Sequence, residues 1–272
     1  MTFGTDKTFG LESVPCRDRK YPGFKTAADF LAACALMVVA VPIIAVLAIL
    51  VKRASRGPVF YSQMRLGLHG RPFRIWKLRT MFHNCEWATG PVWSCKNDDR
   101  VTRIGRILRD THLDELPQLW NVLRGEMSLV GPRPERVEIA RRIEAKVPEF
   151  ALRVLVKPGL TGLAQLQLPP DVDISNIPHK LARDLLYVQH QGPMLDLRIL
   201  ISTAFHFVGT GCVCVSRMLL AGLGTSARQE MTQVEMPNLT GRHSQSNSIS
   251  RVNSGANSRA NSRAEPELSV AA

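Results

Sequence analysis

Asp114 and Glu115 stand side by side within "LRDTHLDELPQLWNVLRGEMSLVGPRPE", residues 108–135. Pro117 biases Leu116 away from helix, which puts the two carboxylates on a turn leading into a helix. That helix runs through "PQLWNVLR" and is predicted to stop at Gly125. Its positive dipole end favours ionised carboxylates. Such a carboxylate can act as a nucleophile or hold a divalent cation, and it can equally cap the helix. Cations surround the pair: Lys77 and Arg79 upstream, then Arg103, Arg106 and Arg109, with Arg124 and Arg133 downstream. Arg133 sits in "GPRP", where two prolines and a glycine stiffen the backbone. Two carboxylates with Arg forks and a Lys point charge suit a metal–diphosphate substrate. No P-loop and no G-x-G-x-x-G occurs, so a nucleotide must be held another way.

The elements that position these residues are legible in outline. From Phe30 to Val51 there are 22 uncharged residues, roughly 33 Å as a straight helix, enough for a bilayer core. A cleavable signal fits poorly, since the stretch starts late and is long. Pro42 lies near its middle and predicts a kink or break. Arg17, Arg19, Lys20 and Lys25 precede the segment, and Lys52, Arg53 and Arg56 follow it. Basic residues on both flanks leave spanning and re-entrant topologies equally open. Residues 57–82 read as a β-hairpin around "HGRP", and residues 83–100 as an irregular loop. Helical periods follow over 101–124, 134–157, 179–190 and 195–223, the last apolar enough for the core or a membrane interface. Beyond about residue 225 the composition turns to Ser, Asn, Arg and Ala, which predicts a disordered tail.

Composition narrows the partners without choosing one. The 272-residue chain carries a formal charge of +12, which suits nucleic acid, an anionic membrane or a phosphate-rich substrate. The cysteines (16, 34, 85, 95, 212 and 214) form no C-x-x-C and are expected to be reduced and structural. His83 and Cys85 lack the second half of a metal site. A membrane-anchored basic adaptor is the non-enzymatic alternative, although it gives the "DELPQ" and "GPRP" turns no purpose.

Four ordered blocks carry a resemblance: "GPVFYSQMRLGLHGRPFRIWKLRTM" after the membrane segment, "TRIGRILRDTHLDELPQLWNVLRGEMSLVGPRP", "VKPGLTGLAQLQ" and "RDLLYVQHQGPMLDLRIL". Together they resemble the bacterial sugar transferases that act as monotopic polyprenol-phosphate phosphoglycosyl transferases, over residues 25 to about 205. The resemblance implies an α+β, mostly helical monotopic membrane protein, with a re-entrant helix–break–helix kinked at Pro42, a small β-hairpin and amphipathic interfacial helices. Its expected parts are a polar segment (1–24), the re-entrant helix (25–56), a catalytic domain (57–224) and the tail (225–272). It further implies that Asp114 attacks the sugar-bearing phosphate of a UDP-sugar and releases UMP. The phosphosugar would then pass to polyprenol (undecaprenyl) phosphate. Glu115 would assist with Mg²⁺ and proton handling, and Asp114 and Glu115 would hold the metal. Lys77, Arg79, Arg109 and Arg133 would bind phosphate or substrate. The implied location is the cytoplasmic face of the bacterial inner membrane, at the first membrane step of exopolysaccharide, O-antigen or related glycan synthesis. The implied partners are the bilayer and other glycan-assembly enzymes, with a homodimer allowed and no nucleic acid. Three departures stand out: Val41 where relatives often carry serine, Glu126 where Asp is usual, and loop residues Trp87 and Trp93 where relatives vary. No multi-helix N-terminal domain precedes the segment, so the minimal catalytic form is expected.

Overall fold

The computed structural model describes residues 21–83, 85, 98–168 and 177–208, with residues 207 and 208 described by backbone alone. The expected polar segment (apart from residues 21–24), Trp87 and Trp93, Cys16, Cys95, Cys212 and Cys214, and the tail lie outside them.

Helix α1 runs from Tyr21 to Ala54, 34 residues. It begins four residues before the expected membrane segment. Tyr21, Lys25, Asp29, Ala33, Ala40 and Val51 are buried, with Met37, Ile44 and Leu47 half-buried between them. These steps of three and four residues draw one stripe along the helix. Ala33 and Ala40 pack with Leu119 and Val122, whereas Val51 packs with Leu78 and Leu108. The opposite face is apolar and bare, with Val38 76% exposed. The break expected at Pro42 does not interrupt the helix. Proline removes one donor and crowds one turn, while this stripe holds both flanks helical against the same core.

The hairpin forms as predicted: β1 (Phe60–Leu66) pairs antiparallel with β2 (Pro72–Leu78), Tyr61 opposite Lys77. His69 and Gly70 both take positive φ, 54° and 72°, in the hairpin turn whose twist matches the strands. Side chains alternate along β2, so Lys77 shares a face with buried Phe73 and Ile75. The open edge of β2 is finished by a side chain. Asn121 donates to Arg74 O at 2.8 Å and to Glu126 Oε2 at 2.7 Å, and accepts from Trp76 N at 3.3 Å. Its amide stands where another strand's peptide would.

Residues 101–124 are helical, but in three pieces. Helix α2 (Arg103–Asp110) is capped by Thr102, whose hydroxyl accepts from Gly105 N at 2.9 Å. A 3₁₀ turn (Leu113–Gln118) and helix α3 (Leu119–Leu123) follow. His112, at φ 54°, makes the bend between α2 and the turn. Gly125, at φ 72°, ends α3 where predicted, its N–H bonding Val122 O. The 134–157 segment is likewise divided into α4 (Val137–Glu144) and a 3₁₀ stretch, Pro148–Leu155. Pro148, which lacks an N–H, cannot continue α4.

Short parallel strands β3 (Ser128–Val130) and β4 (Gly159–Thr161) are joined so closely that a Cβ on Gly131 would lie 2.4 Å from Lys157 O. Helices α5 (Leu163–Gln167), α6 (Ile177–His190) and α7 (Pro193–Val208) complete the described residues. The N-terminal end of α1 is fastened to α7 by a buried polar knot. Tyr21 donates to Asp196 at 2.5 Å, Lys25 is ion-paired with the same carboxylate, and the Tyr187 hydroxyl lies 2.8 Å from it.

Candidate active site

Four elements deliver the predicted residues to one place. Strand β2 supplies Lys77, α2 supplies Arg109, the 3₁₀ turn supplies Asp114 and Glu115, and the loop after β3 supplies Arg133. The approach of α2 is close: a Cβ on Gly105 would fall 1.9 Å from Thr80 O. Thr102 N and Oγ1 both bond that carbonyl, at 3.0 and 3.3 Å. This contact fixes the helix so that Arg109 Nε reaches Thr80 Oγ1 at 2.8 Å.

Glu115 is the anionic hub. Its Oε1 takes Lys77 Nζ at 2.6 Å and Arg133 Nη2 at 2.6 Å, and its Oε2 takes Arg133 Nη1 at 3.3 Å. Burial alone would raise the Glu115 carboxyl, but Arg133 and Lys77 outweigh it and hold the group well below the usual carboxylate range. Glu115 in return holds the Arg133 guanidinium above its ordinary value. Lys77 goes the other way: burial lowers its ammonium despite the pull of Glu115.

Asp114 is the counterpart. It is buried, 7% exposed, and no described residue donates a hydrogen bond to its carboxylate. Burial raises its carboxyl, Lys77 opposes that, and the neighbouring charge of Glu115 adds to the rise. Two adjacent carboxylates are thus pushed in opposite directions, the pattern that separates roles in acid–base and nucleophilic sites. Arg109, itself lowered by burial, faces Asp114 electrostatically.

Arg79 is the predicted site residue the structure does not bring to this cluster. Its Nη1 and Nη2 donate to Arg56 O at 2.5 Å and Ser55 O at 2.9 Å. It clasps the chain just beyond α1, where carbonyls left open by the helix end need donors. Arg103 and Arg106 are solvent-facing on α2, and Arg124 is exposed 3.5 Å from Glu126.

A divalent cation has a restricted fit here. Among the described residues no three acidic, His or Cys side chains converge as a metal cage. Glu115 already serves two cations, and among the described residues of the cluster Asp114 keeps acceptor capacity. Mg²⁺ commonly binds through one or two carboxylates with substrate phosphates completing its shell. The donor set fits that mode.

Sequence reasoning missed the supports. Asn121 is wholly buried under β2. Arg153 lies in the apolar run "EFALRVLV" with its guanidinium 4.5 Å over the Phe150 ring. It pairs with Asp184 at 2.7 Å. A lone Arg inside an apolar run is the available signal, which the helical period over 134–157 hides.

The family described as bacterial sugar transferase matches residues 20–210. The chain is 38% identical over 207 residues to the UDP-glucose:undecaprenyl-phosphate glucose-1-phosphate transferase of Klebsiella pneumoniae, covering 74% of this chain and 44% of that protein. It thus spans under half the length of that relative. A protein of the same description from Caulobacter vibrioides is 43% identical over 181 residues, 66% of this chain and 67% of its own length. The exopolysaccharide production protein PSS of Rhizobium leguminosarum is 38% identical over 184 residues, 66% of this chain and 92% of its own.

Proposed function

Since this chain belongs to the bacterial sugar transferase family, we propose that it transfers a sugar 1-phosphate from a UDP-sugar to polyprenol phosphate, with undecaprenyl phosphate as the acceptor. The observation that carries the mechanism is the asymmetry of the carboxylate pair. Glu115 is taken up by Lys77 and Arg133, while Asp114 lies beside them with no hydrogen-bond donor among the described residues. A carboxylate little solvated and flanked by cations is prepared to attack phosphorus. An Asp114 oxygen bonds to the sugar-bearing phosphorus as the bridging P–O bond breaks, and UMP leaves with the electron pair. A phosphate oxygen of the polyprenol phosphate then displaces Asp114, giving the polyprenol diphosphate sugar and the free carboxylate. Lys77, Arg109 and Arg133 neutralise the phosphoryl oxygens, and Glu115 keeps two of those cations in place. Bound Mg²⁺, held through Asp114 and the diphosphate, would supply further charge neutralisation.

The membrane placement follows from how α1 is fastened. Its start is tied to Asp196 of α7, and its end is clasped by Arg79 and packed on Leu78 and Leu108. A helix with both ends fixed to one polar domain cannot send one end across a bilayer without dragging that domain's charges through it. This supports a re-entrant placement in which both ends of α1 stay with the domain, on the cytoplasmic face in this reading. Exposed Ile107, Trp120, Met194, Leu197 and Ile201 on α2, α3 and α7 suit the lipid interface. An adaptor role gives no reason to bury Asp114 without a donor. Glycan assembly is the pathway, with the sugar open.

The test is UMP release from a panel of UDP-sugars by membranes carrying the protein, with Asp114→Asn as the control. The variant should lose at least about a thousand-fold in rate. Its stability should match or exceed wild type, because a raised carboxyl costs stability above the unfolded value of about 3.9. Equal UMP release by both would remove Asp114 as nucleophile.

A further inference from the structure

The "GPRPE" loop has two prolines and so is short of N–H donors, and its carbonyls must be met from elsewhere. They are met one after another. Pro132 O accepts from Gly159 N at 3.0 Å, Arg133 O from Arg153 Nη2 at 2.9 Å, Pro134 O from Arg65 Nη1 at 3.2 Å and Glu135 O from Leu66 N at 3.0 Å. The donor at Arg133 itself is a side chain only 5% exposed, whose partner Asp184 is 2% exposed.

Helix α6 runs beside this loop with a polar stripe at i, i+4 and i+7. Lys180 pairs with Glu135 at 2.6 Å, Asp184 holds Arg153, and the Tyr187 hydroxyl lies 3.0 Å from Val130 O. A buried ion pair is a weak source of stability, because apolar residues of similar volume often serve as well or better. Retaining one with its free Nη2 on the carbonyl of Arg133 points to a geometric task. Burial raises the Asp184 carboxyl despite Arg153.

We propose that Arg153, oriented by Asp184, is a positioning residue: it fixes the Arg133 backbone and so aims the guanidinium that clamps Glu115 and the phosphate. This rests on the transferase reading above, with Arg133 at the reacting phosphate. Arg153 touches no substrate; it acts through Arg133. Lysine at 153 keeps a charge for Asp184, but its single point of donation cannot serve carboxylate and carbonyl together in the fixed geometry of the Arg fork.

The experiment is a double-mutant cycle on UMP release in membranes, with Arg153→Lys and Arg133→Lys alone and combined. We expect R153K to lower kcat about ten-fold with little change in KM for the UDP-sugar. In the R133K background R153K should cost less than about two-fold more. An equal loss in both backgrounds, or a loss carried by KM with kcat unchanged, overturns the positioning role. Should R153K fail to fold, Asp184→Asn carries the same cycle, with a smaller loss that must also vanish in R133K. Wild-type membranes without UMP release would instead overturn the transferase reading, which the brace shares. Active wild type with additive variants overturns the brace alone.

Discussion

Replacing Glu115 by Gln keeps shape and removes the charge at the hub. The glutamine amide oxygen can still accept from Lys77 and Arg133, but hydrogen bonds to an ionised acceptor are about twice as strong as neutral ones. The Lys77 bond is shielded, with side chains 18% and 12% exposed. Bonds to charged groups contribute about 1.5–3 kcal/mol, so half of that contact is about 1 kcal/mol. Arg133 is 39% exposed and screened by solvent, which limits its loss to about 0.5 kcal/mol. The amide NH₂ would also face Arg133 Nη1 where Oε2 now stands at 3.3 Å, donor against donor. The total is about 2 kcal/mol, or about 4–8 °C in Tm for a domain of this size.

The pH dependence of that deficit is the sharper test. Burial already lowers Lys77, and Glu115 is the main group opposing it. Without that charge the folded protein releases the Lys77 proton earlier, while the unfolded chain keeps it to about pH 10.4. The unfolded state then binds more protons, so the variant gains stability as pH rises. In acid, wild type loses the Glu115 contribution as pH falls below about 4.3 toward the lower folded value, and the variant has none to lose. The deficit should be widest between about pH 5 and 8 and narrow on both sides. Thermal unfolding of detergent-solubilised protein across that range measures it. A deficit that stays flat from about pH 7 to 9.5, or a variant as stable as wild type at about pH 7, refutes the hub.

Asn121→Asp removes both donations and sets a carboxylate against Glu126 Oε2, now 2.7 Å from the amide. It should cost more than Asn121→Ala, where water can enter, by about 1–2 kcal/mol; an aspartate variant at least as stable as the alanine one in thermal unfolding would be inconsistent with the strand-edge role. Pro42→Leu restores the missing donor and relieves the crowded turn, and because both ends of α1 stay fastened to the domain, both are expected to remain on one side of the membrane. Cysteine labelling from each side of position 42 reads this directly, and a far end that crosses in the variant would show that proline, not the fastening, sets topology.

Local rules were enough for the parts of the fold that the chain makes by itself. "HGRP" marked the hairpin because a tight turn needs φ > 0, and Gly125 marked the stop of α3 for the same reason. The carboxylates announced their turn because Pro117 forbids an ordinary helix through Leu116. Tertiary facts were not legible. Lys77 and Arg79 lie two residues apart in "KLRTM", and as cations near the carboxylate pair both took a site role; only packing shows one reaching Glu115 and the other closing α1. Pro42 predicted a break because local sterics disfavour proline in a helix, but the stripe from Tyr21 to Val51, which keeps the helix whole, includes Lys25 and Asp29. Their burial depends on Asp196, which lies 171 residues beyond Lys25. Arg153 was hidden for a similar reason, since its partners come from α6 and from the loop after β3.

Those distant partners bear on how α1 and the carboxylate pair are related. Asp196 takes Tyr21 and Lys25 from α1 with a carboxylate that it also shares with Tyr187. Tyr187 lies against Val130 O, one residue before the loop that carries Arg133. At the other end of α1, Arg79 leaves β2 two residues after Lys77 to hold Ser55 and Arg56. Lys77 lies on the strand that leads into the clasp on one end of α1, and Arg133 is linked to the other end through Val130, Tyr187 and Asp196. Glu115 is the hub on which both chains of contact end. The carboxylate of Asp114 sits next to that hub and outside its hydrogen bonds, which is where a nucleophile can change charge without loosening the frame that aims it.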